Sequence, residues 1–383
     1  MGKGLKRDAA LDIASLTRHK FYHVSNGKKS PGRPKSTHTQ RITNCGKELI
    51  ENDKVAQQMM EIDQDPDLRC GSLRMQQQLQ LRGFIINRKK VFAMMLVLGI
   101  VKMNKRKGKS TDRKFVRYRV VNPTQPLMVL EMDIKQHWII KDRRSSYTVT
   151  VIDTFTREVL GRMTGYSMKA IRIKELWDQI IVQHLEPAGM AASDICIEIR
   201  CDNGPQFVAH LLRDYFKENH LNQVYTNPYT PQENGHIESF HGIMSVCIGN
   251  EFFSIHELED RLDRFYYMYN NQRAHSATKG LPPTVFKRAW EHDLIVTCYN
   301  IKKPIVIKLR HPLYEIPGIL SQREHLAKNK TYAQRNFKKE SGEISSSAYN
   351  FRTPVNTSPS VASCTANKLN NLIPNLATHE IVR

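Results

Sequence analysis

Three carboxylates are placed where they can do chemistry together. Asp133 lies inside the alternating run LEMDIK, Asp202 ends the run DICIEIRCD, and Glu238 follows the Pro-containing segment NPYTPQEN at the start of a periodic stretch. Oxygen-only ligands of this kind suit Mg²⁺ or Mn²⁺, whereas zinc favours His or Cys in numbers not found around them. Two such ions about 3.5–4 Å apart activate an attacking oxygen and stabilise the leaving oxygen of an in-line phosphoryl displacement. Glu131, two residues before Asp133 on the same strand face, competes for the first position.

The elements that must position these groups are legible from periodicity. In PLMVLEMDIKQHWII, Met128, Leu130, Met132 and Ile134 fall on one face, and Val129, Glu131 and Asp133 on the other. SYTVTVIDTF and EVLGRMTGY continue as an antiparallel meander. RIKELWDQIIVQHL predicts a helix with Ile173, Leu176, Trp177, Ile180 and Ile181 inward. A fourth strand terminates in Asp202. A helix begun by Pro205, a short strand QVYTN and a last helix complete the series. Asn234 is placed to cap that last helix, whose apolar face is Ile237, Phe240, Met244 and Cys247 or Ile248. The order βββαβαβα predicts a mixed α/β layer fold with ligands at strand ends.

Composition says what the site meets. The 383 residues carry 58 Lys+Arg against 37 Asp+Glu, a formal net charge of +21 that points to nucleic acid. No apolar run approaches a membrane span, and the polar, basic first thirty residues contain no signal-like apolar region, so a cytosolic protein is expected. The seven scattered cysteines contain no C-x-x-C pair and predict mostly buried, reduced thiols rather than a zinc site or disulfide framework. Basic runs flank a mixed-charge centre. Residues 102–119 hold nine Lys/Arg and one Asp, residues 302–339 ten Lys/Arg and two Glu, and residues 18–41 seven and no acid.

The flanks divide accordingly. Residues 1–27 predict a partial helix-turn-helix in which Thr17 caps a second short helix containing Arg18 and Lys20. Residues 28–64 are a basic linker and helix, with an AT-hook-like GRP core in KKSPGRPKS. Residues 65–100 predict two helices around a turn at Gly83, the second entered through Arg88, Lys89 and Lys90, as a small DNA-binding domain. In the basic linker 101–122, Arg106, Lys107 and Lys109 are candidate phosphate contacts. Residues 291–335 form a basic C-terminal segment, and 336–383, rich in Ser, Asn, Thr and Pro, predict a disordered tail.

The segments VLEMDIK, IRCDNGPQF, TPQENGHIESFHG and FYYMYNNQRAHSATKGLPPTVF closely resemble the catalytic core of OrfB-type insertion-sequence transposases of the retroviral-integrase superfamily. Asp202 and Glu238 have 35 residues between them, as that superfamily's last acidic pair does. LRMQQQLQLRGFIINRKKVFAMMLVLGI resembles the helical domain that precedes this core.

The resemblance implies an RNase H-like, mixed five-stranded sheet with flanking helices over 123–290, preceded by small all-α helix-turn-helix-like regions. It makes Asp133, Asp202 and Glu238 a triad for two Mg²⁺ or Mn²⁺ ions. Asn203, Gly204, Gln206 and Phe207 match the motif after the second Asp, where the Gly permits a tight turn and the Phe packs the following helix. Asn234 and Gly235 match the start of the glutamate helix; Asn271, His275 and Pro282 match the terminal motif, with packing and DNA-side roles. The implied activity is metal-dependent cleavage at element ends and transfer of a 3′-hydroxyl into target DNA. Homo-oligomers on DNA, an upstream helix-turn-helix partner protein and a bacterial, nucleoid-associated location go with it. Two departures stand out. Position 245, where relatives often carry a basic residue, is Ser, and Cys70-Gly71-Ser72 replaces an aromatic-Gly-aromatic signature. A catalytically silent protein that still occupies element ends is the alternative reading, and an RNase H-type nuclease a third.

Overall fold

A computed structural model describes residues 7–22, 36–43, 45–101, 121–190, 196–227, 230–300 and 303–340. The GRP-containing linker, Arg106, Lys107, Lys109 and the tail from 341 onward lie outside these residues. The chain divides into two units, Met1–Lys328 and Asn329–Arg383.

The first elements are two short helices, α1 (Arg7–Ile13) and α2 (Arg18–Tyr22). Thr17 caps α2 as expected, its Oγ1 accepting from the Lys20 N–H at 3.3 Å. Next come β1 (His38–Thr43), β2 (Gly46–Glu51), α3 (Asn52–Gln64), α4 (Ser72–Leu81), β3 (Phe84–Ile85) and α5 (Arg88–Val97). The region before the core is therefore not all helical. β1 pairs with β2 along its full length and with β3 at Gln40 and Arg41, giving a three-stranded antiparallel sheet. Its polar sequence hid it: HTQRIT and GKELIE show no apolar face, and in β1 only Thr39 is buried. Val55, Met59, Ile62, Met75, Leu79, Phe84, Val91 and Met95 form one core beneath it, so α3 packs with α4 and α5 rather than linking to them.

The central layer begins with β4 (Val129–Ile139), β5 (Arg144–Asp153), β6 (Val159–Gly165) and α6 (Ala170–Ile180), which a π-helical turn extends to Leu185. β7 (Ile197–Cys201), α7 (His210–Glu218), β8 (Leu221–Tyr225), α8 (Gly235–Ile248), β9 (Glu251–Phe252) and α9 (Ile255–Asn271) follow. The strand order is β6-β5-β4-β7-β8, antiparallel among the first three and parallel from β4 to β8, with the two-residue β9 added to the far end of β4. Because β4 is central, its alternation serves two buried faces. Leu130 and Met132 join the core beneath α6 and α7, where the Trp177 Nε1–H lies 3.3 Å from the Met132 sulfur. Ile139 joins the second core with Ile237, Phe240 and Met244 of α8 and Leu258, Leu262 and Phe265 of α9.

Beyond the sheet are α10 (Pro283–Glu291), β10 (Ile295–Asn300), β11 (Lys303–Leu309) and α11 (Ile316–Glu340). The basic C-terminal segment thus holds a β-hairpin and a long helix, which runs five residues into the stretch expected to be disordered. Cys70 and Cys201 are buried and Cys247 is half-buried, but Cys45, Cys196 and Cys298 are exposed, against the expectation of mostly buried thiols. Among the described residues no helix is long and apolar enough to cross a membrane.

The helical unit is tied to α9 by charge. Asp67, 1% exposed in the α3–α4 connector, accepts from Arg261 at 2.7 and 3.0 Å and also from Arg264. Asp65 pairs with Arg264 at 2.9 Å, the Arg273 guanidinium donates to the Asp67 carbonyl, and Gln78 Nε2 donates to the Gln272 carbonyl at 2.9 Å.

Candidate active site

Sheet register brings the first two carboxylates level. β4 and β7 run parallel with Glu131 opposite Arg200, so two residues further on Asp133 stands beside Asp202, which follows the last residue of β7. The Asp202 Oδ1 accepts from the Gly204 N–H at 3.0 Å, which closes a tight turn. A Cβ on Gly204 would lie 3.0 Å from that same oxygen and 2.4 Å from Gln206 Nε2, so a larger residue there would require the Gln206 side chain to move. Phe207 is fully buried in the core beneath α7, as the motif implied, and Asn203 Nδ2 donates to the Thr226 carbonyl at 3.0 Å. The helix expected from Pro205 starts only at His210. The Phe207 carbonyl instead accepts from Gln223 Nε2 at 2.9 Å and from the Tyr225 hydroxyl, both on β8, which holds the preceding segment as a turn.

Glu238 sits in the first turn of α8, exposed, while Ile237, Phe240, His241 and Met244 face inward. What anchors that turn is not Asn234. Asn234 makes no capping hydrogen bond, and its Oδ1 is buried without a partner. Glu131, fully buried on β4, replaces it: one carboxylate oxygen accepts from the backbone N–H of His236 at 2.9 Å and of Ile237 at 2.8 Å, and the other lies 2.6 Å from His236 Nδ1. A carboxylate at a helix N-terminus satisfies orphan donors and opposes the helix dipole favourably. Burial pushes the Glu131 carboxyl up to about 7, against the pull of the Ile237 N–H, Arg157 and Arg200. Both oxygens of this competitor for the first position are committed to α8.

Removing that anchor has a predictable cost. Glu131→Ala leaves the His236 and Ile237 donors without an acceptor and should lower stability by about 2–3 kcal/mol, whereas Glu131→Gln keeps one amide oxygen and should lose about 1 kcal/mol or less. Urea unfolding of the two variants measures this. An alanine variant as stable as the parent would remove Glu131 from its anchoring role.

Electrostatics link the three groups. Although both side chains are exposed, the protein around them displaces part of their solvent: that and then the Asp133 charge raise Asp202, and the same loss of solvent with Asp133 and Glu131 raises Glu238. Like charges facing one another disfavour the ionised forms, as two carboxylates sharing a site do. Asp133 nevertheless has local partners: it accepts from the Ile134 N–H at 2.7 Å and lies 3.3 Å from His241 Nδ1. Among the described residues no three His, Cys, Asp or Glu side chains are gathered as a ready metal cluster. His241 was not singled out in the sequence; its place three residues after Glu238, on the inward face, was the available signal.

The remaining candidates divide by what they touch. Asn271 accepts from the Thr284 hydroxyl at 3.1 Å and donates to the Tyr267 carbonyl, joining α9 to α10. His275 is buried against Tyr269, ring centroids 4.4 Å apart. Arg18 is spent on Asp8, while Lys20 is exposed. Arg88 reaches the Ser72 hydroxyl and Lys90 the His38 carbonyl, at 3.2 and 2.7 Å. Arg88 and the exposed Lys89 line a groove of about 950 Å³ with Arg74, Phe92 and Ser276.

Burial holds His275 down to about 3 and His137 to about 4. Both are neutral when folded and take up a proton near ~6.5 when unfolded, so the stability they support is complete above that value and falls as the pH drops. The slope should approach about 1.4 kcal/mol per pH unit per histidine between pH 6 and 5. Urea midpoints from pH 7.5 to 5 test this, and a flat series would contradict it.

Comparison with known proteins places this geometry. The family model described as the integrase core domain matches residues 123–231, and a second model so described matches 219–283. Residues 123–283 are thus similar to an integrase core domain. The two matched stretches include Asp133 and Asp202 in the first and Glu238 in the second, and between them they cover the five-stranded mixed layer described above, with β9 as a short addition. An uncharacterized 39.2 kDa protein of insertion element IS476 from Xanthomonas euvesicatoria is 24% identical over 57% of this chain and 60% of its own length. An uncharacterized 31.7 kDa protein of IS407 from Burkholderia multivorans is 23% identical over 62% and 81%. The transposase of IS904 from Lactococcus lactis is 20% identical over 63% and 96%. The chain thus spans less than two thirds of the first of these relatives. Among solved structures, the catalytic core of BIV integrase aligns with TM-score 0.31 at 19% identity, over 44% of this chain and 97% of that one.

Proposed function

We propose that this protein is a DNA transposase that cuts at the ends of a mobile element and joins a 3′-hydroxyl to target DNA. What supports the reading is that the two integrase-core matches together span Asp133, Asp202 and Glu238, and that the Asp133 charge acts on both of the others. In the transfer, the 3′-oxygen forms a bond to phosphorus as the target's P–O3′ bond breaks, and the hydroxyl proton passes to solvent. Asp133, Asp202 and Glu238 fit hard divalent cations, since all are oxygen donors, Asp202 and Glu238 are exposed, and the Asp133 charge opposes ionisation of both, with His241 beside Asp133 as the nearby basic group. Two Mg²⁺ or Mn²⁺ ions held there would activate the attacking oxygen and stabilise the leaving one. The protein's own contribution is to hold the three carboxylates on separate elements: the Gly204 turn fixes Asp202, β4 fixes Asp133, and Glu131 fixes the turn bearing Glu238.

The +21 charge supplies the attraction for DNA, with Lys20, Arg88, Lys89 and the 102–119 linker as phosphate contacts. Assembly as a homo-oligomer on element ends, with an upstream helix-turn-helix partner, belongs to the same proposal. Purified protein, Mg²⁺ and a labelled element-end duplex test it. Joined strand-transfer products support the transposase, binding without joining would select the silent end-binding protein, and cleavage of an RNA strand in a hybrid would select the nuclease.

A further inference from the structure

A cavity of about 350 Å³ lies on the side of α8 away from Glu238, lined by Gly235, His236, Ser239 and Tyr269 together with Arg74 of α4 and Arg157 of the β5–β6 turn. Among the described residues neither guanidinium has a hydrogen bond or ion pair, and the Arg157 Nη1 is buried without a partner. The carboxylates whose charge Arg157 feels are already committed. Glu131 holds the first turn of α8, and Asp153 accepts from the backbone N–H groups of Leu127, Phe155 and Thr156 and from the Thr156 hydroxyl. Burial lowers both arginines, and Arg273 lowers Arg74 further, so both guanidinium groups sit where solvent compensates their charge poorly.

Arg157 is also held in an unfavourable backbone conformation, φ +67°. Backbone strain of this kind persists where the surroundings over-determine it, often at ligand sites. The Asp153 turn supplies that determination. Two exposed or half-exposed surfaces meet at the cavity as well: Arg74 and Ser276 line both it and the larger groove that holds Arg88 and Lys89.

We infer that the cavity where Arg74 and Arg157 converge is a phosphate-binding site that seats one backbone phosphate of DNA lying along the Arg88–Lys89 groove. Two unpaired, planar guanidinium groups suit the tetrahedral oxyanion, since each can present paired N–H donors. His236 and the Ser239 and Ser276 hydroxyls supply further polar lining, and Tyr269 a wall for the sugar. The site rests on the DNA-acting reading, and Asp133, Asp202 and Glu238 do not line it, so it contributes to holding the strand and not to bond breaking.

The test uses the full chain and two variants. Arg74→Gln keeps a helix-favouring residue in α4, and Arg157→Gly places at φ +67° the residue that adopts it freely, so both should retain cooperative unfolding. Wild type should melt higher in inorganic phosphate than in chloride at equal ionic strength, and each variant should lose that gain. On a duplex, each variant should flatten the dependence of log K on log salt by about 0.9 and bind about 3- to 10-fold more weakly at moderate salt. Phosphate protection with an unchanged salt slope in both variants would overturn the assignment to backbone phosphate in favour of a free oxyanion. No phosphate protection of wild type, with unchanged slopes, would overturn the site itself. Neither measurement involves strand transfer, so failure of the transposase reading would show separately, as wild-type protein that joins no ends.

Discussion

Asp202→Asn should abolish strand transfer, by about 10³-fold or more, while end binding stays within a few-fold of the parent. The side chain is exposed and makes one hydrogen bond, to the Gly204 N–H, which an Asn oxygen also accepts. Stability should therefore change by no more than about 0.5 kcal/mol. What the substitution removes is a full negative charge opposite Asp133, the position from which a divalent cation would be held against the phosphoryl group. Parallel assays of strand transfer and duplex affinity separate the two quantities. A variant that joins ends at close to the parental rate would show that Asp202 is not a metal ligand, and Asp133→Asn provides the matched control on β4.

Asp67→Ala should have the largest effect on stability, about 3 kcal/mol, because it removes the buried countercharge of Arg261, while Arg264 keeps Asp65 as a partner. The loss concerns orientation as well as energy. This carboxylate joins the α3–α4 connector to α9, and α9 packs against the helix that bears Glu238. Urea unfolding measures the first consequence; the position of cleavage on an element-end duplex reads the second, since a helical unit free to shift should scatter the cut sites. A midpoint within experimental error of the parent would show that the pair is replaceable by solvent. The same arginines would lose their partner in a fragment beginning near residue 120, which is expected to be less stable than the intact chain for that reason.

The sequence by itself determined most of the central layer. Strand and helix periods follow from the need to bury apolar side chains, so the alternation of Leu130 and Met132 with Glu131 and Asp133, and the inward face Ile237, Phe240 and Met244, could be read directly. The place of Asp202 at a strand end was equally legible, because the alternating run DICIEIRCD stops at the turn residues Asn203 and Gly204. Tertiary structure decided what depends on distant partners. The β1–β2 hairpin has no apolar period because its strands are largely exposed, and its third strand, Phe84–Ile85, lies more than thirty residues away. The start of α7 moved because β8 side chains claim the Phe207 carbonyl. The Glu238 helix is anchored by Glu131 rather than Asn234, since a buried carboxylate reaching two backbone donors across 105 and 106 residues outweighs the local cap. Asp67 meets Arg261 across 194 residues by the same logic: a buried polar group must find a partner, and which one it finds is settled by packing and not by neighbours in the chain.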